Sequence, residues 1–174
     1  MTAAIGLFYG SSTCYTEIAA EKIRDLIGGG RVDVFDVAET PVTDMLDYQH
    51  LILGIPTWDY GELQEDWEAV WDDLDDIDFT GRTVALYGLG DQDGYPEWFQ
   101  DALGFLWAKV VNQGGATVGL WPAEGYRFSG SKALSADRRH FVGLALDEEN
   151  EFDLSEARLA RWCEQIIVEF GLAP

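Results

Sequence analysis

The sequence predicts an α/β fold, a doubly wound parallel sheet with helices on both faces. Three observations predict it. Short apolar runs alternate along the chain with stretches of helical period. Most of those runs are continuous rather than alternating, as in strands buried on both faces. Strand follows helix with crossovers long enough for parallel pairing, and such connections are right-handed.

The elements follow in order. Residues 3–9 (AAIGLFY) form a buried strand that runs into a polar cluster at 10–13. Ile18, Ala19, Ile23, Leu26 and Ile27 then recur at helical spacing, and Gly28, Gly29 and Gly30 stop that helix. Residues 32–37 alternate Val with Asp and Phe as a second strand, and 51–56 (LILGIP) form a third. From Glu62, the residues Leu63, Trp67, Val70, Trp71 and Leu74 make one face of a helix. Residues 83–88 (TVALYG) are the fourth strand. Phe99, Leu103, Leu106 and Val110 line a helix closed by Gly114 and Gly115. Residues 117–120 begin a fifth strand, the polar stretch 122–139 interrupts it, and 141–146 (FVGLAL) resume it. Leu159, Trp162, Ile166 and Phe170 mark the last helix. No repeat or linker divides the chain. Residues 1–174 are expected to form one domain, with an insertion at about 121–140 in the last strand.

Composition narrows the function. The chain has 174 residues, 11 Lys and Arg against 32 Asp and Glu, and a net charge of −21. Its 47% hydrophobic and 13% aromatic residues support a packed core, and a chain this long buries about 70% of its unfolded surface. Binding to a phosphate backbone needs a basic face, so nucleic acid is excluded. An anionic membrane surface would repel the chain. Basic proteins are the matching partners. Cys14 and Cys163 cannot make a disulfide framework, and the start MTAAIGLFYG has no basic segment before an apolar core. No run reaches the length of a membrane span. A cytoplasmic protein is expected.

In doubly wound sheets, ligands bind at the carboxyl ends of the strands. Three loops stand there. Residues 10–17 (GSSTCYTE) place Ser and Thr hydroxyls before a helix N-terminus, an anion site by its amides and dipole. No Lys or Arg occurs before Lys22, so the triphosphate motif GxxxxGK[ST] is absent and a single terminal phosphate suits the loop. Residues 57–62 (TWDYGE) carry Trp58 out of a buried strand into a polar turn, placed to cover a flat aromatic ligand. Residues 88–95 (GLGDQDGY) supply glycines for close approach and Tyr95 as a second aromatic plane. Their spacing, GxGxxxG, is not the dinucleotide pattern. Together the loops describe a pocket for a planar ring system with a phosphorylated tail.

The runs YGSSTCYTE, PTWDYGELQEDW and GLGDQDGYPEWFQDALG resemble the phosphate loop and the two ring-flanking loops of the flavodoxins. The resemblance extends from Ile5 to Leu172, and the interrupted last strand is similar to that of the long-chain type. It implies a five-stranded sheet in the order 2-1-3-4-5 within a three-layer sandwich, and non-covalent FMN as the cofactor. Ser11, Ser12, Thr13, Cys14, Tyr15 and Thr16 would hold the phosphate. Trp58 and Tyr95 would sandwich the isoalloxazine. Pro56, Thr57, Asp59, Tyr60 and Gly61, with Leu89, Gly90 and Asp91, would line the ring edge and ribityl chain, with Trp98, Gln100 and Glu149 as further contacts. Cys14 departs from the family, which usually has Gly or Asn there. Bound phosphate should leave its thiol unreactive.

The resemblance also implies a low-potential, one-electron carrier rather than an enzyme, cycling between semiquinone and hydroquinone. The carbonyl of the Asp59–Tyr60 peptide would accept a hydrogen bond from the ring nitrogen protonated on reduction. From His50 to Gly81 there is no Lys or Arg, while acids are dense, which disfavours an anionic reduced ring. The insertion carries Arg127, Lys132, Arg138 and Arg139, so charge is asymmetric. A monomer is expected, serving basic redox proteins such as an NADP-linked flavodoxin reductase, a pyruvate-type oxidoreductase or nitrogenase. The alternative is an FMN-dependent quinone reductase, which needs a substrate cavity over a ring face that Trp58 and Tyr95 would cover. His50 and His140 have no expected catalytic role, and the acidic runs lack calcium-loop spacing.

Overall fold

A computed structural model describes residues 2–174. Its central sheet contains β1 (Ile5–Tyr9), β2 (Val32–Asp36), β3 (His50–Trp58), a short β4 (Glu62–Leu63), β5 (Thr83–Leu89), β6 (Ala116–Val118) and β9 (Leu144–Leu146). The small hairpin of β7 (Trp121–Pro122) and β8 (His140–Phe141) stands apart. The helices are α1 (Tyr15–Ile27), α2 (Glu65–Val70), α3 (Asp101–Asn112) and α4 (Ser155–Glu169). The parallel order is β2-β1-β3-β5-β6, so the five expected strands stand in the expected order.

Ile5 aligns with both Val32 and His50, and His50 with Thr83. Every residue of β1 is buried, as a strand packed on both faces requires. Successive side chains of β5 serve opposite layers. Tyr87 points to α1 and α4, its hydroxyl donating to Thr16 O at 2.9 Å and its ring 6.3 Å from Trp162. Gly88 faces α3, where an added Cβ would strike Gln100 and approach Leu103. Trp67, Trp162, Phe8, Phe79, Phe99 and Phe141 are among the fully buried side chains, each worth roughly 1.5–3 kcal/mol in area removed from water.

The fifth position of the sheet is one strand in two pieces. Residues 116–118 pair with 83–85, and residues 144–146 pair with 87–89 on the same edge of β5. The chain leaves this edge at Gly119, whose φ is +85°, and returns past Gly143, which lies against Leu86 O too closely for a side chain. The run 141–146, expected as one strand, is therefore two. Phe141 belongs to the hairpin and Leu144 to the sheet.

A second expectation is also corrected. The helix expected from Glu62 begins only at Glu65. Asp59 and Gly61 take φ of +43° and +87°, which reverses the chain, so that Glu62 and Leu63 pair antiparallel with Trp58 and Thr57. Gln64 then caps α2, its side-chain carbonyl accepting the Trp67 N–H at 3.3 Å.

Candidate functional site

The three predicted loops meet at the carboxyl ends of β1, β3, β5 and β9, around a cavity of about 200 Å³. From the first loop, Thr13, Tyr15 and Thr16 line it, while Ser11, Ser12 and Cys14 lie outside the lining. The first backbone bond of α1 runs from Ile18 N–H to Cys14 O at 2.8 Å, so the N–H groups from Ser11 to Glu17 have no backbone acceptor. The Ser11 hydroxyl is buried without a partner. Amides and a hydroxyl left open at a helix start are what an anion requires. Cys14 holds the turn at φ +69°, the left-handed region, and caps the helix with no side-chain bond.

Elements outside the loop support it. Gln64 is buried and donates to Ser12 Oγ at 3.0 Å and Asp66 Oδ2 at 2.8 Å. The Trp67 indole donates to Gly54 O at 2.9 Å. Both side chains press against Gly10, where any Cβ would collide with them.

The second loop contributes Pro56, Thr57, Trp58 and Asp59 to the cavity. Thr57 has another task, its hydroxyl accepting the Ala102 N–H at 3.0 Å near the start of α3. Tyr60 is exposed and lies outside the lining, 5.0 Å from Trp98 and 6.0 Å from Tyr95 in edge-on contacts. Gly61 sits over Asp101, whose carboxylate would be 2.8 Å from an added Cβ. Asp101 is buried, which raises its pKa, and it accepts the Lys132 N–H at 2.7 Å.

The third loop contributes Leu89, Gly90, Asp91 and Tyr95, and Glu148 and Glu149 close the far side. Tyr95 reaches across the mouth, its hydroxyl 3.5 Å from Asp59 Oδ1, and the Asp59 charge raises its pKa. Trp98 lies outside the lining. So does Gln100, fully buried in a left-handed conformation with its amide donating to Leu146 O at 3.0 Å.

Sequence reasoning missed Glu148 and a polar network behind Asp91. Gln92 donates to Asp147 and to Glu151 at 2.6 Å, and Gln92 Oε1 accepts the Arg127 N–H at 2.6 Å. Asn150 Nδ2 bridges Asp91 Oδ1 at 2.8 Å and Asp147. These partners lie far apart in sequence. The only available signal was an Asp ending the last strand, directly before the acidic turn.

No Lys or Arg lines the cavity among the described residues, whereas Asp59, Asp91, Glu148 and Glu149 do. His50 and His140 lie elsewhere. Burial lowers the His50 pKa and leaves its Nδ1 without a partner, and His140 contacts Asp137 at 3.0 Å. Burial pushes the Cys163 thiol up to about 12, in keeping with a core position. No described helix is long and apolar enough to cross a membrane, and no described group of His, Cys, Asp and Glu could hold a metal ion.

The flavodoxin family model matches residues 7–162. The chain is 60% identical over 167 residues to Flavodoxin 2 of Escherichia coli (strain K12), covering 96% of each chain. It is 52% identical over 172 residues to a flavodoxin of Nostoc sp. (strain PCC 7120 / SAG 25.82 / UTEX 2576), covering 99% of this chain and all of that one. Its fold matches the crystal structure of Fusobacterium nucleatum flavodoxin bound to flavin mononucleotide with a TM-score of 0.89, at 33% identity, over 95% of this chain and 97% of that one. With the family's three loops gathered on one cavity and relatives aligned over nearly its whole length, this chain belongs to the flavodoxin family.

Proposed function

We propose that the chain is a low-potential, one-electron carrier that binds FMN non-covalently. The observation that carries this is the meeting of a cation-free helix start, with open amides, and two aromatic side chains, Trp58 and Tyr95, on one cavity. The residues fit the group. The Ser11 hydroxyl and the amides from Ser12 to Thr16 suit a phosphate. Trp58 and Tyr95 suit the two faces of a flat ring. Pro56, Thr57, Asp59, Leu89, Gly90, Asp91 and Glu149 stand around its edge and tail. Tyr60, Gly61, Trp98 and Gln100 act from behind the lining.

Bound FMN supplies the electron chemistry, and the chain tunes it. Trp58 and Tyr95 keep water and substrates from the ring faces. Asp59, Asp91, Glu148 and Glu149 surround the cavity with negative charge and disfavour further negative charge inside it. No side chain need act as a catalytic acid or nucleophile.

Residues 1–174 act as one domain with the insertion at about 121–140. The partners are basic redox proteins, with an NADP-linked flavodoxin reductase, a pyruvate-type oxidoreductase and nitrogenase as candidates. The acidic surface supports that choice. A monomer in the cytoplasm is consistent with the net charge of −21 and two free cysteines. A visible spectrum of the purified protein during stepwise reduction tests the carrier reading. Yellow protein reduced in two resolved one-electron stages is expected, and reduction in a single two-electron stage would overturn it.

A further inference from the structure

A second and larger cavity, of about 660 Å³, opens beside the flavin loops between α2 and α3. Its floor is apolar. Leu63 and Trp71 form one wall, and Phe105 and Ala108 of α3 form the other. Phe105 is 41% exposed there, an aromatic side chain with nothing over it. Its rim is acidic, with Glu62 and Glu68 along one side and Asp75 at the end. The single cation in the lining, Lys109, is already engaged. Its ammonium lies 2.7 Å from Asp75 Oδ1 and 4.7 Å from the centre of the Trp71 ring. Gln113 fixes the far end, donating to Asp75 O at 2.6 Å and Ile77 O at 3.2 Å.

We infer that this groove seats a segment of a redox partner, one apolar side chain of Leu or Phe size flanked by Lys or Arg. The floor selects the apolar side chain. The rim selects the flanking cations, because Glu62 and Glu68 have no basic partner among the described residues. A second copy of this chain is the wrong occupant, since each copy carries −21 and the two would repel. The head of the groove is the Gly61–Glu62 turn, and Glu62 pairs antiparallel with Trp58 of the flavin cavity. A partner held there would extend over the mouth of the flavin cavity. The groove thus acts as a register for electron transfer, and in that role it rests on the carrier reading.

The test uses the FMN-loaded, isotope-labelled protein and two capped peptides, Lys-Lys-Leu-Phe-Lys-Lys and Lys-Lys-Ser-Ser-Lys-Lys, followed by amide chemical shifts. Phe105→Ser and Glu68→Lys are the variants, both at exposed positions. The expected result is shifts centred on Leu63, Trp71 and Phe105 with the first peptide only, weakened about tenfold in each variant, with the flavin spectrum unchanged. Equal binding of the serine peptide, shifts centred elsewhere, or no binding of either peptide would overturn the docking groove. Failure of the carrier reading shows separately, in the stepwise reduction of the unmodified protein.

Discussion

Gln92 and Asp147 are joined twice through one oxygen. Asp147 Oδ2 accepts the Gln92 backbone N–H at 3.1 Å and its side-chain amide at 2.8 Å. Asp147 is fully buried at the end of the split fifth strand, and Gln92 follows Asp91 in the cavity wall. Removing one partner from a buried polar pair costs about 1–3 kcal/mol. Gln92→Ala should lower urea-unfolding stability by that amount and weaken FMN binding to the apoprotein. Unfolding midpoints and flavin affinities equal to those of the parent would show that the third loop holds its shape without this link.

Cys14 is the second case. Its φ of +69° places a side chain in a region that costs a non-glycine residue roughly 1–2 kcal/mol. Cys14→Gly relieves that strain but adds freedom to the unfolded chain, about 0.5–1 kcal/mol. The net expectation is a modest rise in the melting temperature of the apoprotein, about 1–4 °C. Cys14→Val, branched at Cβ, should lower it. A Val variant as stable as the Gly variant would contradict the left-handed assignment.

The half-buried ring of His50 sets a pH dependence. Burial lowers its folded pKa below the usual 6.5, and its ring packs 5.0 Å from Phe170. The folded state therefore prefers the neutral ring, while the unfolded chain takes up the proton first as pH falls. The resulting stability is fully present above pH 6.5 and is lost as pH drops toward the folded pKa. Compared with His50→Gln, the parent should lose more stability between pH 7 and 5, measured by urea unfolding at several pH values. Parallel pH curves for the two proteins would refute the folded state's preference for the neutral ring.

Charge asymmetry should appear in kinetics. Basic residues gather on the insertion, although Arg127 is paired with Asp93 at 2.9 Å. Acids crowd the cavity and the α2–α3 groove. The rate of electron exchange with a basic reductase should fall as ionic strength rises from about 10 to 300 mM, where the screening length shrinks severalfold. A flat profile would remove charge steering from the account.

The strands buried on both faces were legible because their runs are continuous and apolar. The three loops were legible because their chemistry lies within a few residues of a strand end. Less visible were features made by distant partners or by backbone reversal. The β4 hairpin depends on the left-handed Asp59 and on Gly61, and neither interrupts the apolar pattern that suggested a helix from Glu62. The split at Gly143 is silent within FVGLAL, because both halves are apolar. The resemblance made Gln100 a cofactor contact, yet Gly88 leaves it room to bury beneath the sheet edge, outside the cavity lining. Gln92 and Asp147 are 55 residues apart, so nothing local links them.

The split fifth strand has an engineering consequence. Val118 lies opposite Ala85 and Leu144 opposite Tyr87, so one bridging residue would close the strand and release residues 119–143 as a detachable cassette. Phe141 would then leave the core, and partners across the molecule would be left open. Trp162 Nε1 would lose Gly119 O, the Phe99 N–H would lose Gly130 O, and Ala145 O would lose the Tyr126 hydroxyl. Gln92 Oε1 would lose the Arg127 N–H, and Asp101 Oδ1 would lose the Lys132 N–H, both directly behind the flavin loops. Any foreign segment grafted between 118 and 144 would have to supply these partners and a buried aromatic in place of Phe141.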